Sequence, residues 1–314
     1  NSYFLPGLIK EDYNTHLGSL FAQYSHKIDN FDIWMGIRCD NHDSYQDSNS
    51  FNTGIVWSPS SLWMLKILYG TAYRTPFARQ LLGDEKPDLE NIESLNFQVA
   101  FVPSKSFRIE LSPFYSRIDN HIMEDTYAGL SYPNHQEITG SELEFYFSPN
   151  QNLDVSANLM LTHNNGPDEK YKYNDYIFFR PDGTIEKYYS DLSYPFDSGP
   201  HTLFNFTATW HPDEKLSENF HCKPSLFFRI GYFSSTRLIS PRSELTTTSS
   251  TTSLSLPGVW IADMCAMFRD IFSTGIDLEV SLKNLADRNY EIPGTYNTIE
   301  GKPFSAEVML RKTW

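Results

Sequence analysis

Cysteine, basic charge and long apolar runs are all scarce in this sequence, and each scarcity removes a class of protein. Only Cys39, Cys222 and Cys265 occur, an odd and widely spaced set that reads neither as a disulfide framework nor as a zinc site. Lys and Arg number 25 against 39 Asp and Glu, for a formal charge of −14. A nucleic-acid partner is not expected, because replacing the counterions of phosphates takes clustered cations. No apolar stretch reaches the ~18 residues that a spanning helix needs, which excludes a helical membrane protein. The chain opens NSYFLPG with no basic segment leading into an apolar one, and so reads as a mature chain or a fragment. Nucleophile elbows, phosphate loops, dinucleotide fingerprints and HExxH pairs are missing too. No catalytic residue is assigned, and the chain is not read as an enzyme.

What is present in quantity is aromatic residues, 15% of the chain, with 19 Tyr and 23 Phe, on a background of negative mean hydropathy. Rings on a polar background suit strands with one apolar face and wet loops. A chain of 314 residues allows two soluble domains or one large barrel. Period-two alternation decides between them. Leu153, Val155, Ala157, Leu159 and Leu161 oppose Asp154, Ser156, Asn158, Met160 and Thr162, since successive side chains of a strand point to opposite faces. The same reading places strands near 14–27, 31–40, 50–58, 61–74, 91–102, 106–120, 137–148, 152–163, 200–210, 222–235, 257–268, 275–286 and 302–314, about thirteen in all.

The connections carry a second regularity. Tight turns rich in Pro, Ser, Asn and Asp at 28–30, 58–60, 103–105 and 149–151 interleave with long loops at 41–49, 75–90, 121–136, 164–199, 236–256 and 287–301. Short and long are expected to alternate strictly, as in a transmembrane barrel with tight periplasmic turns and long outer loops. Aromatics near strand ends, among them Trp57, Trp63, Tyr69, Tyr73, Phe101, Trp210, Tyr232, Trp260, Phe268 and Trp314, fall where an interfacial girdle would put them. The expected fold is all-β, an antiparallel transmembrane β-barrel.

Two stretches also resemble a family. The run SLKNLADRNYEIPG followed by GKPFSAEVMLRKTW is similar to the C-terminal signature of TonB-dependent outer-membrane receptors. Asn284, Leu285, Asp287, Tyr290, Gly301 and Trp314 carry that likeness, Trp standing where the family usually ends on Phe. The run from Met64 resembles the family's strand ending in a "Y-G-x-A-F-R-x-P" pattern, through Tyr69, Gly70, Ala72, Arg74 and Pro76, with Tyr73 in place of Phe. Asp88, Leu89 and Glu90 stand where the family's next box begins, and IWMGIRCDNH resembles its "G-x-R-x-D-x-H" strand. The resemblance implies a bacterial outer-membrane location and import of a scarce nutrient such as a siderophore-iron or cobalamin chelate. Such receptors close about 22 strands around a plug. Thirteen strands without a plug therefore imply the C-terminal portion of a barrel over 1–314, with missing N-terminal strands and plug as its partners, along with outer-membrane lipid, the TonB complex reached through that plug, and a small-molecule ligand. A passive porin-like channel and a soluble β-rich adhesin or carbohydrate-binding module are the alternative readings.

Candidate ligand contacts lie in the expected outer loops, where selectivity concentrates. Arg74 ends a strand beside a proline and is expected either to anchor an anionic ligand or to brace loop 75–90. Loop 164–199 contributes Tyr171, Tyr173, Tyr176, Phe178, Tyr188 and Tyr189, rings that could stack on a siderophore, corrin or glycan or pack on one another. Asp40, Asp43 and Asp47 supply oxygens of the kind calcium takes, without a complete EF-hand pattern. His201, His211 and His221 are evenly spaced but are not expected to share a metal, and no resident cofactor is expected.

Overall fold

The computed structural model describes residues 16–43, 45–75, 88–125, 129–179, 185–194, 199–213, 221–238, 254–293 and 298–312. In chain order the strands are β1 (Leu17–Ile28), β2 (Phe31–His42), β3 (Ser48–Ser60), β4 (Trp63–Arg74), β5 (Glu90–Ser104), β6 (Phe107–His121), β7 (Glu124–Asp125), β8 (Gly129–Leu130), β9 (Asn134–Asn150) and β10 (Leu153–Asn165). They continue as β11 (Glu169–Phe179), β12 (Ile185–Tyr194), β13 (Thr202–Trp210), β14 (Lys223–Phe233), β15 (Thr236–Leu238), β16 (Leu254–Leu256), β17 (Val259–Arg269), β18 (Ile276–Lys283), β19 (Glu291–Pro293), β20 (Thr298–Glu300) and β21 (Ser305–Lys312). One 13-stranded sheet runs β1-β2-β3-β4-β5-β6-β9-β10-β13-β14-β17-β18-β21, each strand antiparallel to its neighbours. The thirteen wall strands are those read from the sequence, within a few residues at each end.

The remaining strands form two-stranded sheets, β7-β8, β11-β12, β15-β16 and β19-β20, all at the long-loop end. Segments expected to be loops at 121–136, 164–199, 236–256 and 287–301 thus contain hairpins that rise from the wall. Residues 239–253, the Ser/Thr-rich part of the third, lie outside the described residues, as does Trp314. The strict alternation needs correcting at three connections. On the tight-turn side the chain takes residues 211–222 between β13 and β14 and a 3-10 turn at Ile271–Ser273 between β17 and β18, and on the loop side the long loop expected at 41–49 shortens to residues 43–47 between β2 and β3.

Register sorts the side chains into two faces. Lys66 pairs with Gln98, Glu110 with Glu144, Asn158 with Asn205, Arg229 with Asp263 and Ser281 with Glu307, so the polar positions line one face from β4 to β21. Cross-strand hydrogen bonds knit that face: Gln98 to Glu110, Ser156 with Thr207 at 2.6 Å and Asn205 to Asn158 at 3.2 Å. Trp34 and Phe114 are large apolar side chains on that face, and each lies across a glycine, Gly54 and Gly140, where a Cβ would overlap the ring.

The other face is apolar and uncovered. Leu95, Leu111, Leu143, Leu161, Val308 and Leu310 are exposed, whereas the buried hydrophobic side chains among the described residues are Tyr45, Leu89, Ala100, Cys222 and Leu256. A soluble domain of this size would bury a large apolar core to offset chain entropy; this wall instead turns its apolar side chains outward, as hydrocarbon requires. Rings mark the edge of that band at the tight-turn end. Phe31 stacks on Trp57 at 5.8 Å, Trp63 meets Phe101 at 4.5 Å, and Phe107 meets Phe147 at 6.3 Å. At the loop end Tyr232 and Trp260 lie 4.6 Å apart. The polar face is therefore the lumen side of a transmembrane barrel wall. Among the described residues that wall is open, since β1 pairs only with β2 and β21 only with β18.

Candidate functional site

The loop end of the wall carries a buried polar network. Arg74, last residue of β4, donates from Nη2 to Glu90 at 2.5 Å and to the Ile122 carbonyl at 2.7 Å. Glu90 in turn meets His121 Nδ1 at 3.0 Å, and the other imidazole nitrogen stands 3.2 Å from Glu169. Asn134 and Gln136, side by side on the polar face of β9, donate to Glu169 at 2.8 and 3.2 Å. Glu169 and Gln136 are fully buried. Four wall strands, β4, β5, β6 and β9, are tied here to the β11-β12 hairpin, and the Lys170 carbonyl accepts the backbone N–H of Tyr132 at 2.7 Å. Buried charge is tolerated because every carboxylate has a partner.

Arg74 is thus held at the end of β4 by Glu90 and the Ile122 carbonyl, while residues 76–87 of the loop it would brace lie outside the described residues. Tyr171, Tyr173, Tyr176, Phe178, Tyr188 and Tyr189 all fall in the β11-β12 hairpin, where Tyr176 pairs with Tyr188, Asn174 with Tyr189, Tyr171 with Leu192, Tyr173 with Ser190 and Phe178 with Glu186. The three aspartates do not come together. Asp40 accepts from Arg38 at 2.8 Å and Tyr73 at 2.6 Å, Asp43 from the His16 backbone at 3.0 Å, and Asp47 from Asn41 at 2.7 Å. Among the described residues no three His, Cys, Asp or Glu side chains are placed to hold a metal ion. His201 meets the Thr162 carbonyl at 3.0 Å, while His211 faces Asp154 at 3.7 Å at the opposite end of the strands. All three cysteines are free, and burial pushes the Cys222 thiol up, away from reactivity.

The second feature of the loop end is the segment after β18. Asn284 is 2% exposed and left-handed, with φ 51°. Its Nδ2 donates to the Arg288 and Lys302 carbonyls at 2.9 and 3.0 Å, and its Oδ1 accepts the Arg288 N–H at 2.9 Å. Asp287 accepts the Phe304 N–H at 2.8 Å. Tyr290 lies against Gly301, where any Cβ would overlap the ring. The quoted motif thus has a physical basis: four of its residues knot the last loop onto the wall. Beside the knot, on the lumen face, is a cavity of about 250 Å³ whose lining includes Arg229, Asp263, Lys283, Asn284, Tyr290 and Lys302. The convergence of Arg229 and Lys283 with Lys302 has no local signal in the sequence, because it depends on how the knot folds the loop back.

An open wall of amphipathic antiparallel strands, tight turns at one end and hairpins at the other, defines an outer-membrane type of β-barrel. Over residues 2–285 the chain matches the model of the family described as "TonB dependent receptor-like, beta-barrel", and it belongs to that family. Similar solved structures include the FrpB iron transporter from Neisseria meningitidis, at TM-score 0.69 and 12% identity over 94% of this chain and 44% of that one. The ferric enterobactin receptor PfeA (a G324V mutant) from Pseudomonas aeruginosa gives TM-score 0.67 and 15% identity over 97% and 46%. The ferric-catecholate import receptor Fiu from E. coli K12 gives 0.64 and 14% over 94% and 44%. The chain spans less than half the length of these proteins. At such identities the likeness is one of fold. The family match ends at residue 285, before most of the knot.

Proposed function

We propose that residues 1–314 form the C-terminal part of the barrel wall of an outer-membrane receptor that imports a scarce nutrient as a chelate, siderophore-bound iron or a cobalamin-like ligand. The observation that carries this reading is the division of labour along the wall: an uncovered apolar band for lipid, a hydrogen-bonded polar lumen face, and a rigidified loop end with a cavity. Iron and siderophore receptors among the similar folds support the ligand class. In this reading the outer hairpins capture the ligand, with Arg74, Tyr171, Tyr173, Tyr176, Phe178, Tyr188 and Tyr189 as the contacting side chains. The remaining strands and a plug complete the receptor, and the TonB complex acts through that plug. The residues of this chain hold and orient ligand and carry no bond-making step.

The test is growth of an iron-limited Gram-negative host that expresses the natural full-length chain, with and without an intact TonB system. Expected are fractionation with the outer membrane, a shift in gel migration on heating, and chelate-supported growth that disappears when TonB is deleted. Growth that persists without TonB would favour a passive channel. A chain that stays monomeric and folded in plain buffer would overturn the membrane reading.

A further inference from the structure

We propose that the lumen cavity beside the Asn284 knot is an anion subsite, taking a carboxylate or similar anionic oxygen group of the ligand. The inference rests on the receptor reading above and narrows its ligand class. Three cations, Arg229 from β14, Lys283 from β18 and Lys302 from the last loop, line one cavity in a chain whose formal charge is −14. Three carboxylates are near, Glu307, Asp263 and Glu279, the last acting on Lys283, yet among the described residues none of their oxygens hydrogen-bonds the Arg229 guanidinium. Glu307 serves both lysines, at 2.9 Å from Lys283 and 3.8 Å from Lys302. Asp263 turns one oxygen to the Asn284 N–H at 2.9 Å and stands 3.9 Å from Arg229, beyond hydrogen-bonding distance.

Arg229 is the anchor. It donates from Nη2 to Asn205 at 3.0 Å, which fixes the plane of the guanidinium, and the fork has further N–H groups to give. A guanidinium so held matches the two oxygens of a carboxylate, a geometry that an ammonium cannot supply. Lys302 is brought within reach because its own carbonyl is gripped by Asn284 at 3.0 Å, so the site is preorganised by the knot and costs little ordering when filled. Tyr290 adds a phenol at the rim. About 250 Å³ admits a carboxylate-bearing arm of a chelate rather than a whole large one.

The experiment uses outer membranes from cells expressing the natural full-length chain, titrated with radiolabelled citrate, alone and with ferric ion. Saturable binding is expected in at least one of the two arms; citrate alone marks a free carboxylate ligand, ferric citrate a metal-bound one. Arg229→Gln and Lys302→Glu should each weaken it about tenfold or more with heat-shifted migration unchanged. Arg108→Gln, on the same face but near the tight turns, should leave affinity unaltered. Failure of the parent protein to bind in either arm, or equal affinity in parent and both variants, overturns the subsite. If TonB-dependent growth persists in that case, the receptor reading stands; if growth and outer-membrane fractionation fail as well, both fall together.

Discussion

Asn284→Ala isolates the knot that holds the last outer loop. The substitution removes three hydrogen bonds, those to the Arg288 and Lys302 carbonyls and that from the Arg288 N–H, worth about 1 kcal/mol each. It also leaves an alanine at φ 51°, a conformation that asparagine tolerates and that costs an L-alanine roughly 1 kcal/mol. The sum is about 4 kcal/mol, borne by the loop and not by the wall, whose ladder from β18 to β21 is untouched. Local opening should rise roughly a thousandfold at 1.4 kcal/mol per decade, and proteolysis in the fast-reclosing regime tracks that population. Trypsin added to intact cells reads it directly, because Arg288 and Lys302 lie within the loop. Cleavage at those bonds should accelerate strongly in Asn284→Ala while the heat-shifted band persists. Asn284→Gly relieves the backbone strain and should recover only the strain share. Asn284→Asp keeps the acceptor but sets a carboxylate against two carbonyl oxygens, and should be no better than Ala. Equal trypsin rates in wild type and Asn284→Ala would refute the account, since they would mean that the buried amide does not hold the loop.

Gly54→Ala should lower the yield of folded barrel, because the new Cβ overlaps Trp34; Trp34→Ala in the same chain should restore it, as read by heat-shifted migration. Leu159→Arg, in the middle of the apolar face, should cost about 2–4 kcal/mol of barrel stability, while Asn158→Arg one residue away on the lumen face should be tolerated, a contrast that urea titration in detergent would resolve. Arg74→Ala withdraws the cation from buried Glu90 and a donor from the Ile122 carbonyl, and should destabilise the loop end by about 1–3 kcal/mol, seen as an earlier thermal loss of the folded band.

Much of the wall was legible from residues because each strand meets two solvents. Leu153 to Leu161 must alternate with Asp154 to Thr162 when one side is hydrocarbon and the other is wet, and that requirement writes the strand into the sequence with no reference to its neighbours. The hairpins β11-β12 and β19-β20 obey no such rule. Both of their faces lie outside the lipid, so their pairing depends on register between segments whose apolar pattern is weak. The connection after β13 follows from the strand bounds read at 200–210 and 222–235, but its length breaks the expected alternation: it carries Pro212 and Asp213 as a turn would, yet nothing local fixes how many residues it takes. The network of Glu90, His121 and Glu169 was invisible too. Its members are brought together by three different connections, and the local trace is that Asn134 and Gln136 carry the polar face of β9 to the loop end of its ladder with β6.

The resemblance in the last hairpin now acquires a mechanical meaning. Asn284, Asp287, Tyr290 and Gly301 spend their side chains, or the lack of one, on the loop's own backbone: Asn284 on two carbonyls and an N–H, Asp287 on Phe304, Gly301 on making room for Tyr290. None of the Asn284 amide is left for a ligand, because the residue is 2% exposed and its donors are already placed. On the proposed receptor reading, ligand selectivity would then fall to neighbours outside the motif. Arg229, Lys283 and Lys302 fit that description, since they surround the knot with polar ends turned to the lumen cavity. A rigid loop with variable side chains around it is what a family needs if it is to keep one wall and change its ligand. It follows that exchanging Lys302 for a residue of another charge should alter which ligand is held without loosening the loop, whereas exchanging Asn284 should loosen the loop whatever the ligand.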